Sequence, residues 1–461
     1  VRVTLRKNLL NAAIATIFLS SSSYVYASGF QLFEQNGAGV GDYDAGAAAE
    51  AQDASIAWYN PAGLVLIDHQ QLVLSAVGID VGAEFKGEVQ NYAESEIIFR
   101  HQEEYVTLLA SDEYGHAQGG GLSVVPSFHY AIPLTNRIVV ALSVVVPFGL
   151  ETDWPDDSVL RYSATETKIQ DIDITPSIGV KITDKFSLGA GIDFQNVDAV
   201  FDSVVGLGQL VPYDSDTFSS NEANQWAIGW HGGALYQFTP ATRVGFAYHS
   251  RVTIDPSNGT SKLSGPMVDD ATDGRTDVYK VHNLSSDVTL PGYATLSIFH
   301  KVNERWDVKG SVNYTGWKVF DDVPLNNVAG VVQNGLNGFR ESELNVNVPQ
   351  NFHNTWRVAA GLNFRQTERW MWRAGVGVDQ DPTNDTDRNV RLPDGDIFAV
   401  AIGAHFQATK HLSFDGGYQH LFTQDGEINN TGYVGAQSTY VNGNTQNSAD
   451  LFAIQMNWDI T

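Results

Sequence analysis

Cysteine is absent from the 461 residues, so no disulfide can staple the fold, and the chain suits export unfolded through an oxidising compartment. Basic residues are scarce. There are 27 Lys and Arg against 53 Asp and Glu, a formal charge of −26, which excludes nucleic-acid binding by bulk charge. Past the N-terminus no stretch of 18 apolar residues occurs, which excludes a helical membrane span. His231, His249, His353, His405 and His420 fall on separate segments, with no nucleophile signature and no metal-ligand spacing. No catalytic residue, metal or cofactor is therefore assigned, and the chain is not read as an enzyme.

What is present begins with a leader. Arg2, Arg6 and Lys7 form a basic region, Leu9 to Leu19 an apolar core, and Ala27 supplies the small residue that a signal peptidase requires. Residues 1–27 are thus predicted to be a signal peptide, with Ser28 as the mature N-terminus. Its removal takes away three basic groups and no acidic one, leaving −29. Acidic loops of that kind suit a place where divalent cations bridge them to an anionic surface. Residues 28–69 lack strand alternation and are rich in Gly and Ala, with a helix-compatible stretch from Ala45 to Trp58. So short a segment of small side chains cannot build its own core, and it is expected to pack inside the remainder.

From Gln70 the period changes to two. Trp306, Val308, Gly310, Val312 and Tyr314 share one face, and Asp307, Lys309, Ser311 and Asn313 the other. The pattern returns at Trp356 to Phe364, Phe398 to Phe406 and Phe452 to Trp458. A strand places successive side chains on opposite faces. Apolar faces with aromatic ends, backed by polar and small residues, fit a closed barrel in lipid. Fourteen strands are predicted, at 70–90, 118–131, 136–149, 168–182, 185–200, 224–238, 241–255, 286–302, 305–320, 352–366, 370–380, 394–408, 411–424 and 448–460. Short turns at Thr135-Asn136, Thr183-Asp184, Thr239-Pro240, Asn303-Glu304, Thr367-Glu368 and Thr409-Lys410 alternate with long connections, which puts both chain ends on the periplasmic side. The segment 92–105 is assigned to a loop because of Glu94, Glu96, Glu103 and Glu104. Trp306, Trp370, Trp372 and Trp458 lie near strand ends, where the headgroup zone accepts an amphipathic ring.

The motifs then narrow the reading. Ser28-Gly29-Phe30-Gln31-Leu32, Ala45-Gly46-Ala47-Ala48, Asp53-Ala54-Ser55 and Trp58-Tyr59-Asn60-Pro61-Ala62-Gly63 precede the first strand. Pro147-Phe148-Gly149-Leu150, Arg161-Tyr162, Thr175-Pro176-Ser177, Tyr314-Thr315-Gly316-Trp317 and the Asp379 to Asp396 stretch with Pro382, Arg388, Leu392, Pro393 and Asp394 follow. Together they resemble the bacterial outer-membrane long-chain fatty acid transporter family, which includes aromatic hydrocarbon importers. The resemblance implies an all-β fold, a fourteen-stranded antiparallel transmembrane β-barrel over 70–461 whose N-terminal hatch, 28–69, plugs the lumen. It implies a monomer in the Gram-negative outer membrane, in contact with its lipid and lipopolysaccharide. Its substrate would be a long-chain fatty acid or another hydrophobic small molecule, meeting external loops, then a pocket by the hatch terminus, then leaving sideways at a kinked strand.

By that resemblance Phe30 either touches substrate or anchors the hatch to the wall. Asn60, Pro61, Ala62 and Gly63 shape the hatch, since proline fixes φ and asparagine caps nearby backbone. Pro147, Phe148 and Gly149 mark the lateral opening. His353 stands where the family carries a lysine, and Asp198 where an arginine is sought; both departures leave room for a neutral substrate. Lys309, Arg357, Arg365 and Arg373 are inward-facing basic residues that either hold a carboxylate or pair with Asp307, Asp379 and Asp415 in the lumen. Family members commonly finish on an aromatic residue read by the barrel-assembly machinery; here Trp458 takes that part or the change is tolerated. The substrate alternatives are a fatty acid or a hydrocarbon, and a third reading is a phage-receptor or adhesive surface.

Overall fold

The computed structural model describes residues 29–99, 102–207, 210, 214–333 and 339–460, so the predicted signal peptide and the predicted cleavage site lie outside the described residues. Alternate side chains find two environments, which is why the period-two segments become strands. Trp306 and Val308 are 41% and 46% exposed, whereas Asp307 and Lys309 between and beside them are 0% and 5% exposed.

Fourteen strands make the wall. They are β1 (Gln70–Phe99), β2 (Leu122–Pro133), β3 (Ile138–Val145, resumed at Gly149–Asp153), β4 (Glu166–Lys181) and β5 (Phe186–Phe201). Then come β6 (Thr217–Thr239), β7 (Thr242–His249), β8 (Tyr293–Lys301), β9 (Trp306–Thr315) and β10 (Thr355–Arg365). The last are β11 (Trp370–Asp379), β12 (Ile397–Gln407), β13 (Leu412–Thr423) and β14 (Gln437–Ile460). Each pairs antiparallel with the next, and β1 closes on β14 from Gln70↔Ile460 to Ala93↔Gln437. Closure removes the unpaired edges that lipid would punish.

The short turns share one device. The side-chain oxygen of Thr135, Thr183, Thr239, Asn303 and Thr367 accepts from the amides two and three residues on, within 2.9–3.2 Å. Such side-chain caps set a tight reversal without a special φ. Aromatic rings gather beside these turns: Trp306 lies 4.5 Å from Phe364 and Trp370 4.6 Å from Phe406, forming a girdle at one rim.

The opposite connections are longer, and the assignment of 92–105 to a loop is corrected. β1 runs on to Phe99 and pairs with Gln102–Gln118 in a hairpin that stands above the wall. Val89, Asn91 and Ala93 stay buried on one face while Glu94 takes the other. Acidic residues are compatible with a strand whose outer face meets water rather than lipid. A second hairpin, Asp322–Gln333 with Phe339–Pro349, covers the same mouth.

Residues 29–69 fill the lumen with short turns: α1 (Gly37–Val40), α2 (Ala47–Glu50), α3 (Ile56–Tyr59) and a 3₁₀ segment, Pro61–Leu66. The helix-compatible stretch from Ala45 to Trp58 does not become one helix. Ala51 adopts φ 47°, and carbonyls that a helix would use internally are taken by other side chains: Ala48 O by Asn60 Nδ2 at 2.7 Å and Ala49 O by Arg243 Nε at 2.5 Å. The wall admits this backbone through glycines. A Cβ at Gly189 would stand 2.2 Å from the Pro61 carbonyl carbon, and one at Gly375 would stand 2.1 Å from Asp42 O.

Candidate functional site: a broken strand and two cavities

The wall is interrupted in the middle of β3. Its first half pairs with β4 up to Val145↔Asp173, and pairing resumes at Gly149↔Gln170, so the strand carries one extra residue across the gap. Proline lacks a donor and the extra residue bends the strand inward. Pairing between β2 and β3 ends at Phe128↔Val144, leaving Leu122–Ser127 of β2 without a β3 partner. The plug takes up the freed backbone instead. Leu32 N donates to Pro147 O at 2.8 Å, Gly149 N to Phe30 O at 2.9 Å, and the Gln35 side chain both donates to Val146 O (2.7 Å) and accepts from Val146 N (2.9 Å). Pro147, Phe148 and Gly149 therefore mark a mid-strand break, where the sequence suggested a strand end.

Phe30 sits at this break, 1% exposed, with its ring 4.8 Å from Trp317, 5.2 Å from Phe320 and 5.9 Å from Phe148. Asn60, Pro61, Ala62 and Gly63 lie elsewhere, against β4, β5 and β6. Asn60 is fully buried; it accepts from Ala62 N (3.1 Å) and donates to Ala48 O and to Ala234 O of β6 (3.1 Å), capping the 3₁₀ segment and tying it to the wall.

The inward basic residues are engaged with the plug. Lys309 Nζ lies 2.5 Å from both Asp42 and Glu50. Arg357 stacks on Tyr43 at 3.8 Å, donates to Tyr43 O at 3.0 Å and faces Asp44 and Asp379 at 3.8 and 3.7 Å. Arg365 pairs with Asp307 (2.7 Å) and Arg373 with Asp415 (2.5 Å). Asp307, Asp379 and Asp415 are the partners suggested by sequence, whereas Asp42, Asp44 and Glu50 of the plug were not, and these contacts occupy Lys309 and Arg357. His353 is exposed, its Nδ1 2.8 Å from Pro382 O, and it lines neither cavity described below. Asp198 alternates with Val197 and Ala199, which face the inner cavity, so it points the other way.

Three histidines that sequence spacing left apart converge on the plug backbone. His129 Nε2 reaches Gln35 O (3.0 Å), His231 Nε2 Ala57 O (3.3 Å) and His249 Nε2 Trp58 O (3.1 Å). His231 and His249 stack at 4.9 Å, and His231 Nδ1 is 2.6 Å from Asp193 Oδ1. Asp193, His231 and His249 could between them hold a metal ion. Their ring Nε2 atoms already clamp the plug. Only the chain crossing of β5, β6 and β7 brings these side chains together, and no sequence motif carries it.

Two cavities open above the plug. The outer one lies between the hairpins, lined by Tyr162, Phe201, Leu325, Val346, Val348, Arg391 and Tyr433 among others. The inner one, about 560 Å³ counting its open mouth, is lined by Ile169, Val197, Phe201, Leu284, Leu290, Phe320 and Leu325, with Asn221 and Ser286 the polar members and no charged side chain. Phe201, Asn221 and Leu325 belong to both. Phe320 joins the inner cavity to Phe30 at the break. Sequence reasoning missed Phe201, Phe320, Leu325 and Arg391, because they come from three separate segments that only the closed barrel and its hairpins assemble. The loops that frame the mouth are pinned by Arg161, which pairs with Glu113 (2.8 Å) and Asp216 (2.9 Å).

A closed barrel with a lipid-facing apolar band, an internal plug and an uncharged cavity above it has the build of a membrane channel for hydrophobic compounds. The chain matches the family described as outer membrane protein transport protein (OMPP1/FadL/TodX) over residues 18–460, and it belongs to that family. It is 27% identical to the outer membrane protein P1 of Haemophilus influenzae, covering 98% of this chain and 99% of the relative. It is 26% identical to the long-chain fatty acid transport protein of Salmonella typhi, covering 93% and 94%. A solved structure of a Pseudomonas aeruginosa FadL homologue superposes with a TM-score of 0.77 at 25% identity, over 94% of this chain and all of that one. The chain is thus an outer-membrane transport protein for hydrophobic compounds and not an enzyme.

Proposed function

We propose that the protein takes up long-chain fatty acids passively. The substrate enters the outer cavity, passes Phe201 and Leu325 into the inner cavity, reaches Phe320 and Phe30, and leaves sideways at the break in β3. The observation that carries this reading is the continuity of the route: two cavities sharing lining residues, the inner one ending on the ring cluster that seals Pro147-Phe148-Gly149. An acyl chain gains about 0.8 kcal/mol for each CH₂ kept from water. An apolar path preserves that gain, and release toward lipid avoids an aqueous exit. No energy source is required if substrate is drawn away below. Phe30 in this reading seals the exit and lets substrate pass on moving.

A second reading is favoured by the inner cavity, whose lining has no charged side chain: the same scaffold would suit aromatic or aliphatic hydrocarbons. Uptake of labelled oleate and labelled toluene by cells lacking their own importer separates the two. Oleate uptake on expression of this chain supports the first, and toluene uptake without oleate uptake replaces it with the second.

A further inference from the structure

Burying an arginine without a carboxylate is costly, because its guanidinium keeps its charge at every accessible pH. Here the buried and half-buried arginines Arg161, Arg357, Arg373 and Arg388 each face an Asp or Glu within ion-pair reach. Two do not, among the described residues. Arg243 is spent on the plug, donating to Ala49 O and Glu50 O. Arg391 is the other, and it faces a cavity.

Arg391 lies between β11 and β12, in a segment held firmly to the mouth. Trp154 Nε1 donates to Val390 O (3.0 Å), Thr152 Oγ1 to Arg391 O (3.3 Å), and Asn447 Nδ2 to Pro393 O. Its guanidinium meets neutral acceptors: Nη1 donates to Thr167 Oγ1 (2.8 Å) and Glu166 O (3.4 Å), Nη2 to Ser163 O (3.0 Å) and Asp202 O (3.2 Å). It stands 5.7 Å from the Phe201 ring, which belongs to both cavities. A fixed cation therefore stands where the outer cavity, whose lining mixes polar and apolar groups, gives way to the wholly uncharged inner one. That juxtaposition matches an amphiphile with an anionic head and a long apolar tail.

We infer that Arg391 is the headgroup station of the route, its guanidinium receiving the carboxylate of an anionic amphiphile while the tail passes Phe201 into the inner cavity. The four neutral acceptors hold the two Nη groups in place, and the fixed positive charge they leave uncancelled suits a carboxylate, since charge-assisted bonds are the stronger ones. Burial lowers the Arg391 pKa to about 10, with Asp202 opposing, so the side chain stays charged at neutral pH. Lys309 and Arg357, the basic residues first suggested by sequence, are neutralised by the plug, which leaves Arg391 to this part. The inference rests on the reading that hydrophobic compounds travel these cavities.

The test is a titration of the purified full chain in lipid nanodiscs with oleate and with oleyl alcohol, followed by tryptophan fluorescence. The intact protein is expected to prefer oleate by about tenfold or more, the effect of one charge-assisted hydrogen-bonded pair. Arg391→Gln should abolish the preference while leaving the affinity for the alcohol within about twofold, an expectation set by its lack of a charge to pair. Retained preference in Arg391→Gln overturns the inference, as does an intact protein that binds both ligands equally; in that second case the hydrophobic route stands. Binding of neither ligand removes the route and the inference together. Asp202→Asn supplies an independent arm that needs no change at Arg391: it should tighten oleate and not the alcohol, and an unchanged oleate affinity counts against Arg391.

Discussion

The main-chain amide of Gly29 donates to Asp394 Oδ2 at 2.6 Å, tying the start of the plug to the segment that carries Arg391. Asp394 is fully buried and its other oxygen accepts from Gly395 N at 2.8 Å. The plug terminus at the strand break and the outer cavity are thereby linked through one carboxyl group. Asp394→Ala should remove about 0.5–1.5 kcal/mol of local tethering, the range for a hydrogen bond between uncharged partners. Faster amide exchange at Phe30 to Leu32, with the barrel's unfolding midpoint little changed, is the expected readout.

The same group sets a pH dependence. Burial above all raises the Asp394 pKa, and Asp381 adds to the rise. The folded state therefore holds this proton more tightly than the unfolded state. That contribution to stability is fully present below the ordinary carboxylate value of about 4 and is lost as pH rises toward the raised one. Asp394→Asn should flatten the decline, as measured by unfolding midpoints from pH 4 upward.

Lys309→Met takes the nearest cation from Asp42 and Glu50 in the middle of the lumen, leaving Asp42 only Arg373 at 3.9 Å. Breaking a buried pair in this way costs about 3–5 kcal/mol. The denaturation midpoint should fall accordingly, while the ratio of oleate to oleyl alcohol affinity stays as it was. A lost preference would make Lys309 a ligand contact instead.

His353→Ala should leave oleate uptake unchanged, since the ring is exposed and bonded to Pro382 O outside both cavities. A fall in uptake with intact expression would return His353 to the substrate path.

Gly189→Val adds side-chain atoms where a Cβ alone meets the Pro61 carbonyl carbon at 2.2 Å. The 3₁₀ segment must then move. Increased ion conductance in planar bilayers is expected, because a displaced plug leaves water in the lumen; unaltered conductance with full assembly would show that the plug adapts.

Strands and short turns were legible because each is a local matter. Two-residue alternation assigns Trp306 outward and Lys309 inward without knowledge of neighbours, and Thr135, Thr183, Thr239 and Thr367 cap their own turns. The pairs Arg365–Asp307 and Arg373–Asp415 followed from the same inward face. The external hairpin beyond Gln90 was hidden because its charge suggested a loop, although period two continues through Ala93. The cavities were not legible at all. Phe201, Phe320, Leu325 and Arg391 meet only after the barrel closes, and Arg391 stands out only once the other buried and half-buried arginines among the described residues have been given their partners.

The central claim is that substrate leaves where the plug seals the broken strand, and one cross-link tests it. Gln31 and Phe148 face each other in an antiparallel bridge flanked by the bonds Leu32 N to Pro147 O and Gly149 N to Phe30 O. Such a pair brings Cα atoms to about 4.5 Å, within disulfide reach, and the chain has no other cysteine to interfere. In cells expressing the Gln31→Cys, Phe148→Cys double variant, oxidation should stop oleate uptake and reduction should restore it. Equal uptake in the oxidised and reduced forms would contradict an exit at this break.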